Sequence, residues 1–327
     1  MTPRIGLVLG DPAGIGPELI ARLLASHERP PAHVIVVGDL WLLREGEASA
    51  GVTLDLQVVH ALDEADVDAD TPIFLEHASI GAGERVRGEA SAAGGRSVLG
   101  CLRRTLDLAR AGDIDALTFA PLNKHAMHLA GYGYDDELHW FADELDYHGH
   151  CGELNVLENL WTSRVTSHVA LREAPALIDA EGIVAAVRLA DDSLKAAGIE
   201  RPRIAVAALN PHAGDGGIFG REEIDVIAPA VARARALGID AEGPFPADTV
   251  FVRARDGRHD AVVTMYHDQG QIAMKLMGFE RGVTVLGGLP IAITTPAHGT
   301  AYDIAGKGIA NDTAMHRAFA IACRMAG

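Results

Sequence analysis

Short apolar runs alternate along the chain with stretches whose apolar positions recur at helical spacing. Residues 5–9 read as a buried strand, a Gly/Pro turn follows, and residues 16–24 read as a helix. Further strand-like runs lie at 34–37, 116–120, 160–166, 204–209, 261–266 and 283–286. Leu99, Leu102, Leu106 and Leu108 define a helix over 99–111. Short β-rich runs separated by helices predict a largely parallel, doubly wound α/β sheet. No Pro-, Gly- or Ser-rich linker interrupts the pattern, so a division into lobes would be a cleft within a compact chain. The length of 327 residues suits one large domain or two lobes of ordinary size.

Charge then narrows the partners. With 28 Lys and Arg against 45 Asp and Glu, the formal net charge is −17, which repels phosphate backbones and anionic lipid. Neither nucleic acid nor a membrane surface is expected as a partner. Cys101, Cys151 and Cys323 have no CxxC spacing, so neither a disulfide framework nor a thiolate zinc site is expected. The N-terminus runs into a strand with no basic region and apolar segment before it, which makes the cytoplasm the expected compartment.

Three features carry chemistry. The first is GDPAGIGPE, residues 10–18, which closes a strand and opens a helix. Gly14 and Gly16 there would let the backbone approach a ligand, although a plain strand-to-helix turn needs the same residues. The second is a set of histidines after strands: His168 in TSH, His212 in LNPHAG and His267 in MYHDQG. Each would project from the carboxyl edge of a sheet, where open α/β sheets bind ligands. Neutral imidazole is the commonest metal ligand, and a set of three leaves a coordination position open. Asp248 and Asp268 are the carboxylates expected beside them, as catalytic groups or as orienting partners. The third is HGTAYDIAGKGIAN, residues 298–311, whose glycines and small residues suit a loop that wraps a flat ligand. It resembles the adenine-ribose loop of isopropylmalate and isocitrate dehydrogenases, which implies cofactor contacts at His298, Gly299, Asp303 and Gly306.

Together GDPAGIGPE, TSH, LNPHAG, GPFPADTVF, MYHDQG with Lys275, GFERGV and HGTAYDIAGKG resemble, in order, the motifs of the 4-hydroxythreonine-4-phosphate dehydrogenase (PdxA) family of pyridoxal phosphate biosynthesis. The resemblance implies an isopropylmalate-dehydrogenase-like fold of two α/β/α lobes with a cleft between them. Lobe 1 would hold residues 1–125 and 295–327, and lobe 2 residues 126–294. It also implies a homodimer with the active site near its interface, NAD or NADP as cofactor, and one divalent metal per subunit (zinc, magnesium, manganese or cobalt) on His168, His212 and His267. Lys275 would bind substrate.

Departures from the family pattern concern the substrate. The family's GHTEFFAE is here DELHWFAD, which puts Glu137 and Leu138 where substrate-contacting His and Thr are expected, with His139 beside them. Thr284 stands for an Asn and Ile293 for an Arg. A pocket that loses Arg and His and gains a carboxylate suits a phosphate dianion less well. The expected reaction is oxidation of a secondary alcohol of a hydroxy acid, with decarboxylation, and an unphosphorylated acid is expected to outrun 4-hydroxythreonine 4-phosphate. Sugar acids and terephthalate-type cis-dihydrodiols are the alternative substrates. Two readings from other classes share the pattern: a non-redox acyltransferase-like protein, and a ligand-binding oligomer decayed from an enzyme. The 298–311 loop argues against the first, and retention of the histidines with Lys275 argues against the second.

Overall fold

The computed structural model describes residues 2–327. Strands form at β1 (Arg4–Val8), β2 (His33–Gly38), β3 (Gln57–Val59), β4 (Ile73–Glu76), β5 (Ala116–Phe119), β6 (Gly152–Leu157), β7 (Leu160–Arg164), β8 (Ile204–Ala207), β9 (Ala241–Phe245), β10 (Ala261–Thr264), β11 (Val283–Gly287) and β12 (Ala292–Pro296). Two compact units result. One runs up to Tyr147 and resumes over Leu289–Gly327; the other is His148–Gly288. No described helix is long and apolar enough to cross a membrane.

In the first unit the strand order is β3-β4-β2-β1-β5-β12, and every pairing is parallel. Ile5 and Leu7 of β1 pack with Val34 and Val36 of β2, Phe74 of β4, and Leu19 and Leu23 of the helix Gly16–Ala25. Strands buried on both faces carry near-continuous apolar runs, which is why β1, β2 and β5 are legible in the sequence. The helix expected over 99–111 begins earlier, at Ala92. Ser91 caps it, its Oγ accepting from the Gly94 amide at 3.0 Å. Gly95 then lets the helix touch the helix Lys124–Leu129; a Cβ there would lie 2.1 Å from the Ala126 carbonyl oxygen.

That contact moves a boundary. Residues 126–147, expected in the second lobe, belong to the first unit, and so do residues 289–294. Phe141 stacks on Phe119 at the end of β5, Trp140 is buried beneath the Arg103 guanidinium, and β12 pairs with β5. Apolar burial, rather than a break in sequence pattern, fixes the division.

The second unit has the order β11-β6-β7-β10-β8-β9. Its β7, β10, β8 and β9 are parallel neighbours, but β6 runs antiparallel to both β7 and β11, so the sheet here is mixed rather than wholly parallel. The β6–β7 hairpin turns at Glu158, which has φ +55°. After β8 the chain makes a left-handed turn through Pro211–Gly217: His212, Ala213 and Asp215 have φ of 53°, 55° and 43°. Left-handed backbone costs about 1–2 kcal/mol per non-glycine residue, so the turn needs an anchor. Glu223 supplies it. Its carboxylate, only 2% exposed, accepts from the amides of Leu209 (2.9 Å) and Asn210 (2.7 Å) and from Asn210 Nδ2 (3.0 Å). Burial opposes ionisation of Glu223, but these bonds outweigh it and hold the carboxyl below the usual glutamate range.

Replacing Glu223 with Ala should therefore cost about 3 kcal/mol of stability, read as a lower urea midpoint. Because the folded value is depressed, the stabilisation is complete above the ordinary glutamate value of 4.5 and is lost as pH falls through the lower folded value. The wild-type chain should thus lose more stability on acidification than Glu223→Ala. A midpoint unchanged by the substitution would show that the turn holds without this carboxylate.

Candidate active-site residues

Within the second unit, β7, β10 and β8 lie side by side and parallel, so the chain leaves all three at one edge. His168 follows β7, His267 follows β10, and His212 follows β8. Backbone pairing continues past the strands: Thr166 bonds the Met265 carbonyl through both its amide (3.1 Å) and its hydroxyl (2.8 Å). This brings the rings of His168 and His267 to 5.6 Å between centroids. His267 opens the helix His267–Gly278, and its Nδ1 bonds Asp268 Oδ1 at 2.7 Å. Since a carboxylate only accepts, Nδ1 is the donor in this bond. A cavity of about 240 Å³ is lined by Thr166, Ser167, His168, Tyr266, His267 and Asp268.

His212 stands apart from this pair. It sits exposed in the left-handed turn, its ring 6.3 Å from that of Phe219. Among the described residues, no three His, Cys, Asp or Glu side chains converge closely enough to hold a metal ion. Asp248 is exposed at the start of the helix Ala247–Arg255, which packs against the His212 turn. Lys275 is exposed on the His267 helix.

Two devices here had only faint signals in the sequence. Gln269, inside MYHDQG, accepts from the Met265 amide and donates to the Ala208 carbonyl, both at 2.7 Å, and so ties the exits of β10 and β8 together. Arg164, the last residue of β7, has a largely enclosed side chain; it pairs with Glu153 and donates to Asn155 Oδ1 and Ser167 Oγ, both at 2.9 Å. Asn155 also receives Gln271 and, through its Nδ2, reaches Thr284 Oγ1 at 3.4 Å. Thr284 thus joins a polar network across β6, β7 and β11. An arginine inside an otherwise strand-like run was the available clue.

In the first unit, GDPAGIGPE follows β1 and the 298–311 loop follows β12, and the parallel order β1-β5-β12 sends both to one edge. They touch directly: the Ile15 amide donates to the Thr300 carbonyl at 3.1 Å. Gly14 and Gly16, expected at a ligand, instead permit internal contacts. A Cβ on Gly14 would lie 2.9 Å from Thr300 Cβ, and one on Gly16 would lie 2.0 Å from the Leu9 carbonyl oxygen. Asp303 and Gly306 are exposed, Gly299 faces open space, and Arg87, which pairs with Glu45, lies against Gly306.

Orphaned polar atoms mark this junction. Asp11 is 1% exposed; its Oδ1 accepts from the Ala13 amide at 2.8 Å, but its Oδ2 is buried without a partner. His298 Nε2 is buried and unpartnered too, and the buried Tyr302 hydroxyl has no partner beyond the Asp11 carboxyl it faces. Burial raises the Asp11 carboxyl above its usual range, opposed by the Ala13 amide and the nearby Tyr302 hydroxyl, and burial raises Tyr302 likewise. Native folds rarely leave such atoms unsatisfied, so they fit a ligand rich in hydroxyl and amide groups.

The departures noted in the sequence resolve differently. Leu138 and Ile293, expected at substrate, are 4% and 0% exposed and pack in the core, where they offer a ligand no free surface. Their helix and strand present those positions inward. His139 bonds the helix-capping Asp136 through its amide (2.9 Å) and its Nδ1 (2.6 Å), and Glu137 lies 3.5 Å from the Lys124 ammonium.

The chain is similar to known proteins along nearly its whole length. A family model described as pyridoxal phosphate biosynthetic protein PdxA matches residues 31–322. A Pseudomonas aeruginosa protein named putative 4-hydroxythreonine-4-phosphate dehydrogenase 2 is 57% identical over 99% of this chain and 97% of its own. D-threonate 4-phosphate dehydrogenase of Salmonella typhimurium is 37% identical over 99% of both chains. A crystal structure of 4-hydroxythreonine-4-phosphate dehydrogenase from Klebsiella pneumoniae superposes with TM-score 0.86 at 38% identity, covering 100% of this chain and 98% of that one. A β-decarboxylating dehydrogenase from Thermococcus kodakarensis, at 17% identity and TM-score 0.52 over 98% of this chain and 82% of its own, shares the fold. The chain belongs to the PdxA family of dehydrogenases.

Proposed function

We propose that this dehydrogenase oxidises the secondary alcohol of a phosphorylated hydroxy acid, of the kind named for its relatives, using NAD or NADP and one divalent metal. The observation that carries the metal reading is the apposition of His168 and His267, with His267 oriented by Asp268. Two imidazoles within reach of one ion, one of them backed by a carboxylate, form a donor set that suits zinc or cobalt better than the oxygen-preferring magnesium or manganese. His168, His212 and His267 would hold the ion. A bound divalent metal supplies Lewis-acid stabilisation of negative charge developing on a substrate oxygen. A bound nicotinamide cofactor would supply the hydride acceptor.

The chain's own groups perform the rest. Asp268 is occupied in fixing the His267 ring, which leaves Asp248 as the carboxylate open to accept the alcohol proton. Lys275 offers its ammonium to an anionic group of the substrate. Oxidation β to a carboxylate gives a keto acid that loses carbon dioxide readily. In the first unit, Asp11, His298 and Tyr302 would meet the polar groups of the cofactor.

The chain works as a homodimer in this reading. Leu171, Ile218, Phe219, Ile272 and Leu276 expose large apolar surfaces on the second unit, on the elements that carry the three histidines or just beside them. Covering them with a second copy would dry the site. The compartment is the cytoplasm, where nicotinamide cofactors are held.

The sequence favoured an unphosphorylated acid because Ile293 replaces an Arg. With Ile293 and Leu138 in the core, that inference loses its footing, and the Pseudomonas aeruginosa and Salmonella typhimurium relatives are both named for a 4-phosphate. At fixed metal and NAD, D-threonate 4-phosphate or 4-hydroxythreonine 4-phosphate should exceed its dephosphorylated counterpart at least ~100-fold in kcat/KM, the scale expected for a lost charge-assisted contact. Faster turnover of the unphosphorylated acid, or of an aromatic cis-dihydrodiol carboxylate, would refute the assignment. For the metal, chelator-stripped protein should lose activity and regain it with a divalent ion. His212→Ala should bind at least ~10-fold less metal by elemental analysis while remaining folded. Undiminished metal content in that variant would remove His212 from the ligand set.

A further inference from the structure

We propose that Glu18, acting with Arg22, is a positioning residue that sets the backbone of the 298–311 loop for cofactor binding; this rests on reading that loop as the nicotinamide-cofactor loop. Glu18 lies in the first turn of the helix Gly16–Ala25 and is 2% exposed. Its Oε1 accepts from the Ala310 amide at 3.0 Å and from Arg22 Nε and Nη2 at 3.2 and 3.1 Å. Arg22, one helical turn on, also sends Nη2 to the Gly308 carbonyl at 2.8 Å. One ion pair therefore grips an amide and a carbonyl two residues apart, on a segment 292 and 286 residues away in sequence.

The segment needs that grip. Gly306 and Gly308 adopt φ of +75° and +71°, which glycine accepts without strain but with the largest loss of conformational freedom. Lys307 and Ile309 are exposed, and Ala310 is the buried residue of the tip, so apolar packing contributes little. Charge-assisted bonds to a buried carboxylate are about twice as strong as neutral ones. Glu18 Oε2 is buried without a partner, so the pair is not arranged for maximal stability of the chain alone. The conformation of residues 306–311 is thus dictated from the GDPAGIGPE helix, which explains why two motifs at opposite ends of the sequence occur together.

The test is titration of NAD into the metal-loaded protein and into Glu18→Gln and Arg22→Met. Each variant should bind NAD about tenfold or more weakly. KM for NAD should rise in parallel, while kcat at saturating NAD and KM for substrate stay within about twofold. Amide hydrogen exchange over 306–311 should accelerate in the absence of cofactor, and Arg22→Lys should restore part of the NAD affinity. Unchanged NAD affinity in the variants overturns the proposal, whether or not exchange accelerates. If Glu18→Gln does not fold, Arg22→Met decides, since Arg22 is partly exposed. Failure of the wild-type protein to bind NAD would overturn the cofactor reading instead; unchanged exchange over 306–311 would then still overturn the clamp.

Discussion

Parallel pairing forces each strand to deliver the loop that follows it to the same edge of its sheet. Nearly every functional feature here depends on that constraint. In the second unit it gathers the chain exits of β7, β10 and β8, and with them His168 and His267. In the first it brings the GDPAGIGPE turn after β1 against the loop after β12, although these lie at opposite ends of the sequence. The histidine pair and the junction of the two glycine-rich segments are both consequences of strand direction, and both sit at the edge where open α/β sheets hold ligands.

Delivering loops to an edge leaves their backbone without sheet partners, and the same solution recurs in both units. A buried carboxylate accepts main-chain amides: Glu223 takes those of Leu209 and Asn210, and Glu18 takes that of Ala310. An ionised carboxylate is expensive to bury unless its oxygens are bonded. Its removal therefore leaves several donors stranded at once. In the second unit this permits a left-handed turn that the local sequence would not adopt by itself. Strain of this kind clusters at sites with a function to perform, and His212 lies within it.

The sequence carried the strands with continuous apolar runs, the three histidines and the two glycine-rich motifs. Parallel core strands and strand-end loops have strong local signatures, which is why β1, β2, β5 and β10 were legible. β7 is legible too, but its hairpin partner β6 is not, because Glu153 and Asn155 turn toward Arg164 and break the apolar pattern. The unit boundary was misplaced because Gly95 and Phe141 act through tertiary contact, which periodicity does not report. Leu138 and Ile293 were read as substrate contacts by their place in a motif, whereas their burial assigns them to the core. Glu18, Glu223 and Gln269 looked like ordinary polar residues; their importance lies in partners that only folding brings near.

The central claim is that the strand-end histidines form one divalent-metal site in the assembled enzyme. Anomalous diffraction at the zinc edge, from crystals of the zinc-loaded protein, tests it most directly. The account predicts one peak per subunit about 2.1 Å from a ring nitrogen of each of His168, His212 and His267. A protein that binds zinc stoichiometrically but shows its peak away from these rings would contradict it.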